Sequence, residues 1–100
     1  MARPPLILRL YITGQTPRSE KAIANLRRIM VAEGLESEYE LEIIDVLDRP
    51  EMAEEERILA TPTLIRKLPP PIRRVIGDLS DWELVALGLD LNDIRETNGD

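Results

Sequence analysis

The chain has 100 residues, 43% of them hydrophobic and 32% charged, with a formal net charge of −6. That length supports one hydrophobic core and excludes a second. It contains neither Cys nor His, which excludes disulfides, thiolate chemistry, CxxC redox motifs, cysteine zinc sites and the usual general base, and directs the reading toward binding.

Leu6 to Ile12 alternates, with Leu6, Leu8, Leu10 and Ile12 on one face and Ile7, Arg9 and Tyr11 on the other, which predicts a strand. Thr13-Gly14-Gln15 predicts a turn. Thr16 is placed to cap a helix with Pro17 at its first position, where a missing N–H is harmless. That helix is expected to run to about Glu33, burying Ile23, Leu26 and Met30 and stopping at Gly34. Tyr39 to Val46 predicts a second strand whose last residues, from Ile44, are buried on both sides. Strand, helix and strand in this order make a right-handed unit with parallel strands.

Asp48 and Glu51 around Pro50 resemble a capping box, followed by a short helix with Met52 and Leu59 facing inward and Glu54-Glu55-Glu56 facing outward. Thr61 before Pro62 is pushed toward extended geometry and opens a third strand. Leu68-Pro69-Pro70-Pro71-Ile72 is a stiff connector at a turn or a sheet edge. Ile72 to Ile76 predicts a short last strand. Ser80 and Glu83 form a capping box for a helix that buries Leu84, Val85 and Leu87 and ends at Gly88. The order β-α-β-α-β-β-α is that of the thioredoxin fold. A single domain over residues 1–91 is expected, with residues 92–100 a short polar, frayed tail. Local preference agrees less well with one structure after Thr61, where strands are short, proline-rich and charged.

Charge is blocked along the chain. Residues 1–31 carry a net of +5, 32–56 a net of −10, 57–74 a net of +5 and 75–100 a net of −6. Such blocks serve either to place opposite charges side by side on one small domain or to complement protein partners. Only 3% of the residues are aromatic and the balance is acidic, which argues against nucleic acid. The apolar run Leu6-Ile7-Leu8 falls far short of the roughly 18 residues of a membrane span. Arg9 interrupts the N-terminal apolar stretch, so no signal peptide is expected and the expected location is the cytoplasm. Where a thioredoxin-like redox motif would sit, the chain reads Thr16-Pro17-Arg18-Ser19, with no His to activate a hydroxyl. Arg27-Arg28 and Arg73-Arg74 are either ordinary solvated arginines or a site for a phosphate or carboxylate-rich partner. Bottom-up, the chain reads as a thioredoxin-like interaction module without catalytic or cofactor equipment.

The runs Leu10-Tyr11-Ile12-Thr13-Gly14-Gln15-Thr16-Pro17, Ile44-Asp45-Val46-Leu47 and Ile58-Leu59-Ala60-Thr61-Pro62-Thr63-Leu64 resemble the circadian clock protein family KaiB. So does Gly88-Leu89-Asp90-Leu91, and most distinctively the stretch from Leu68-Pro69-Pro70-Pro71 to Ser80. The resemblance implies a non-enzymatic regulator that binds the N-terminal ring of the hexameric ATPase and autokinase KaiC, in a circadian clock or a related timing or stress system. KaiA is an implied further partner where an organism has it. The resemblance also implies a metamorphic chain: a ground state, a homotetramer with its own C-terminal topology, and a monomeric thioredoxin-like state that binds KaiC. On that basis Lys21, Arg27, Arg28, Arg73 and Arg74 are the candidate partner contacts. Pro62, Pro70, Pro71, Gly88 and Asp90 are the candidate switch positions, and Gly88→Ala is expected to favour the thioredoxin-like state. The alternative is a degenerate thioredoxin-like sensor or redox-related domain with no Kai partner.

Overall fold

The structure is a computed structural model and describes residues 5–98; Arg3 of the first charge block and residues 99–100 of the expected tail lie outside it. Four strands, β1 (Leu6–Ile12), β2 (Tyr39–Asp45), β3 (Thr63–Leu68) and β4 (Arg73–Ile76), form one sheet in the order β2-β1-β3-β4. β1 runs parallel to β2 with Leu8 opposite Leu41, and antiparallel to β3 with Leu10 opposite Leu64; β4 pairs antiparallel with β3. With helix α1 (Pro17–Ala32) between them, β1 and β2 make the expected parallel β-α-β unit, and the antiparallel hairpin β3-β4 completes the thioredoxin-like order.

The two-residue period of β1 sends Leu6, Leu8, Leu10 and Ile12 to one face, where they pack with Ala22, Leu26, Ile29 and Met30 of α1 (Pro17–Ala32). Full burial of each such leucine stabilises the fold by about 1.5–3 kcal/mol. The apolar stripe of α1 is wider than Ile23, Leu26 and Met30, and Ile23 itself is only half-buried. Thr16 caps α1 as expected, its Oγ1 accepting from the Ser19 N–H at 3.1 Å. At the other end the Leu35 N–H reaches back to the Met30 carbonyl at 2.8 Å, a closure that needs the positive φ of Gly34. On the opposite sheet face, Tyr11, Ile44 and Ile65 form a small second core under α2 (Pro50–Glu55). β2 is an edge strand, so Ile43 remains partly exposed and its end is not buried on both sides.

Several local expectations are corrected. α2 has Arg49 at its N-cap with no side-chain hydrogen bond, so Asp48 and Glu51 do not form a capping box. α2 also stops at Glu55, before its pattern can reach Leu59, which is 95% exposed. α3 (Trp82–Gly88) is capped by Asp81, whose Oδ1 accepts from the Leu84 N–H at 3.2 Å. Ser80 does not cap it, because its own N–H is held by Asp78 Oδ1 at 3.0 Å and the helix starts one residue later. That start turns Val85 inward and leaves Leu84 and Leu87 exposed. Residues 92–98 are not a frayed tail: α4 (Leu91–Asn98) follows a turn at Asp90 (φ 55°), and Leu91 and Ile94 join the main core at helical spacing.

Gly88 closes α3 against β4: a β-carbon there would stand 2.6 Å from Val75 Cγ2. The helix-propensity gain of Gly88→Ala, about 1 kcal/mol, is thus opposed by a branched side chain with few rotamers, and the gain expected from sequence is not free. We expect Gly88→Ala to be more favourable by about 1 kcal/mol in a Val75→Ala background than in the native chain. Unfolding midpoints of the four proteins measure this coupling, and strictly additive midpoints would refute the close approach.

Candidate partner-binding faces

The five basic residues singled out from sequence do not form one patch. Lys21 and Arg28 lie seven positions apart on the same stripe of α1, with Asn25 between them. Lys21 Nζ is 3.6 Å from Asp78 Oδ2, Asn25 Nδ2 donates to the Asp78 carbonyl at 2.9 Å, and Arg28 donates to Asn25 Oδ1 at 3.3 Å. This stripe ties α1 to the loop before α3. Hydrogen bonds from Ser80, its hydroxyl first and then its N–H, hold the Asp78 carboxyl below the usual range, with Lys21 and Arg18 adding to the effect. Arg27 is exposed on the neighbouring side of the helix. Arg73 and Arg74 are adjacent on β4 and so point to opposite sheet faces. Arg73 lies 3.7 Å from Asp90 Oδ2, whereas Arg74 donates to the Glu56 and Arg57 carbonyls behind α2.

Two further constellations were not anticipated from sequence. The first centres on Glu56, placed in an outward acidic triplet but in fact turned onto the sheet face that α2 covers. Its Oε1 accepts from Arg9, from Lys67 Nζ at 3.0 Å and from the Tyr11 hydroxyl at 3.2 Å. Arg9 Nε also donates to Glu42 at 2.7 Å, on the β2 residue directly beside it. Burial alone would push Glu56 up; the hydrogen bond and charge of Lys67, then Tyr11 and Arg9, outweigh it and hold the carboxyl below its ordinary range. Burial likewise pushes the Tyr11 phenol up.

The second is Arg66, which is fully buried on the α3 side of β3. Its guanidinium donates to the carbonyls of Pro69 (3.0 Å), Leu89 (2.6 Å), Asp90 (3.4 Å) and Pro70 (3.5 Å). It therefore clamps the proline loop to the turn that joins α3 and α4, where helix-end carbonyls lack intrahelical partners. Of the candidate switch positions, Pro70 and Asp90 meet at this clamp, Gly88 precedes its Leu89 carbonyl and Pro71 follows Pro70. Pro62 lies apart, buried at the start of β3, with its carbonyl accepting from Gly77 at 2.9 Å. The peptide bonds Thr61-Pro62, Leu68-Pro69 and Pro70-Pro71 are cis.

At the start of α1, Thr16 and Ser19 hydroxyls bond each other at 3.0 Å. Among the described residues no group of three or more acids is arranged to hold a metal ion, and no helix is long and apolar enough to cross a membrane.

Residues 9–91 match the family model described as the KaiB domain. The chain belongs to the KaiB family. It is 58% identical over 86 residues to the circadian clock protein KaiB3 of Synechocystis sp., spanning 86% of this chain and 83% of that protein. It is 53% identical over 98 residues to the circadian clock oscillator protein KaiB of a Prochlorococcus marinus strain, spanning 96% of this chain and 92% of the relative. Among solved structures, the N-terminal domain of Synechococcus elongatus SasA superposes with a TM-score of 0.69 at 23% identity, covering 98% of this chain and 86% of that one. Mitochondrial thioredoxin 3 of Saccharomyces cerevisiae superposes with a TM-score of 0.65 at 15% identity, covering 85% and 76%. Both likenesses establish the thioredoxin-like fold. The distinctive proline-arginine stretch of this KaiB chain lies within residues 68–80 and supplies two of the four carbonyls that Arg66 holds, those of Pro69 and Pro70.

Proposed function

We propose that this KaiB chain is a non-enzymatic clock regulator that binds the N-terminal ring of the hexameric ATPase KaiC and so controls its phosphorylation state. The observation that carries this reading is the family match over residues 9–91. The chemistry is consistent with it: the chain has no Cys or His, and its hydroxyls at the redox position are spent on each other. Lys21, Arg27 and Arg28 on α1 are proposed as KaiC contacts, with Arg73 and Arg74 contributing from the two sides of β4. KaiA is a further proposed partner where the organism has one, and the cytoplasm is the proposed location.

We further propose that the thioredoxin-like state is one of two, exchanging with a tetrameric ground state of different C-terminal topology. KaiC then acts by population shift, drawing the equilibrium by its differential affinity. Pro62, Pro70, Pro71, Gly88 and Asp90 are the proposed hinge positions.

Light scattering on a sizing column tests the reading, for the chain alone and mixed with cognate KaiC and ATP. A tetramer that slowly becomes a KaiC-bound monomer is expected; stable protein that never joins KaiC removes the function. Arg27→Glu with Arg28→Glu should weaken the complex about tenfold or more and flatten its salt dependence. Unchanged binding by that double variant would remove α1 from the contact face.

A further inference from the structure

Trp82 is the one tryptophan of the chain. It stands at the first position of α3 and lines an open cleft of about 670 Å³ between the end of α1 and the start of α3. Glu33, Ser80, Asp81, Glu83 and Ala86 complete the lining. The indole Nε1–H donates to Glu33 Oε2 at 2.8 Å, which anchors one edge of the ring to the end of α1. A purely structural tether would account for that edge, but Trp82 as a residue is left 47% exposed. The lining contains three carboxylates and no base. An indole face carries a negative quadrupole that attracts cations, and arginine adds planar stacking that an ammonium lacks. Trp and Arg are also the residues most enriched where binding energy concentrates.

We propose that this cleft is a docking site for an arginine side chain on a basic segment of a protein partner. The guanidinium stacks on the open face of Trp82 and its N–H groups meet the surrounding carboxylates. The occupant follows from charge complementarity and from the ring. The site lies at the other end of α1 from Lys21, and it takes a partner of the opposite charge from the one proposed for the basic stripe.

Because there is one indole, the test has a direct reporter. The 15N-labelled full chain is titrated at low salt with the peptide Gly-Arg-Ala-Arg-Gly, blocked at both ends, and with its Lys and Glu counterparts. The expected result is saturable movement of the Trp82 indole resonance and of the amides of residues 80–83, tighter for Arg than for Lys and absent for Glu. Trp82→Leu keeps apolar bulk and should weaken binding about fivefold. Glu83→Gln leaves the ring and its anchor in place and should weaken it about twofold. Movement confined to the acidic β2 and α2 surface, or equal affinity in Trp82→Leu, would overturn the proposal. The titration is made at one fixed protein concentration and read on the amide and indole resonances of the monomeric, thioredoxin-like population, so that the proposed exchange with a tetramer does not itself move the reporter.

Discussion

Arg66→Met lowers the unfolding midpoint of the thioredoxin-like state by about 12–24 °C, taking a loss of about 3 kcal/mol and 4–8 °C per kcal/mol for a domain of this size. The reasoning starts from burial. A guanidinium with no solvent exposure is tolerable only when its donors are satisfied, and here they are satisfied by four carbonyls. Methionine fills much of the volume but donates nothing. The buried Leu89 carbonyl is then left short of a partner, and such a group costs about 1–3 kcal/mol, with the part-buried Pro69 carbonyl adding less. Arg66→Lys is expected to lose most of the same stability, because one ammonium cannot span the proline loop on one side and the α3–α4 turn on the other. Thermal unfolding followed by circular dichroism measures the midpoints, and hydrogen exchange should show faster opening around residues 89–94 in both variants. A midpoint within two or three degrees of native for Arg66→Met would show that apolar packing compensates, as it does for some buried ion pairs.

The second large effect is at Glu56. Glu56→Gln should cost about 2 kcal/mol at pH 7, because one carboxylate oxygen serves three donors and two of them are cations. The sign of the pH dependence follows from the depressed pKa of this carboxyl in the folded chain. Its contribution is fully present above the ordinary value of 4.5 and is lost as the pH falls through the lower folded value. Native protein should therefore lose stability below about pH 4.5 more steeply than Glu56→Gln, and the two curves should converge at low pH. Asp78 shifts in the same direction and leaves a residual acid slope in both. Urea unfolding at a series of pH values reads the difference. Parallel curves would mean that Glu56 carries no such linkage.

These two residues mark the boundary of what the chain reveals unfolded. The first half was legible because its signals are local. The alternation of Leu6 to Ile12, the Thr16-Pro17 cap and the Gly34 stop each act over a few residues, and the structure follows all three. The parallel β1-α1-β2 unit follows from their order alone. The absence of Cys and His excluded thiol and imidazole chemistry, and the proline-arginine stretch carried the family.

The second half was read less well, for a physical reason. Its helices are short: α2 has six residues and α3 seven, so a shift of one residue in the start changes which side chains face inward. Asp78 holding the Ser80 N–H made that shift at α3 and turned out Leu84 and Leu87. α4 looked like a polar tail because, among its described side chains, Leu91 and Ile94 alone reach the core, too few to leave a periodic signal. Glu56 looked like one more solvated acid. Its partners Arg9 and Tyr11 stand 47 and 45 residues away, a separation that no local pattern encodes.

The sequence by itself determined the thioredoxin-like order of elements, membership in the KaiB family and the segments carrying charge. Only the tertiary structure decided how those charges are used. Strand alternation separates Arg73 from Arg74, the closing sheet brings Glu56 to Arg9, and the α3–α4 turn delivers its carbonyls to Arg66. Each depends on which segments the packed sheet places within a hydrogen bond of one another, and that is a property of the assembled core rather than of any stretch of chain.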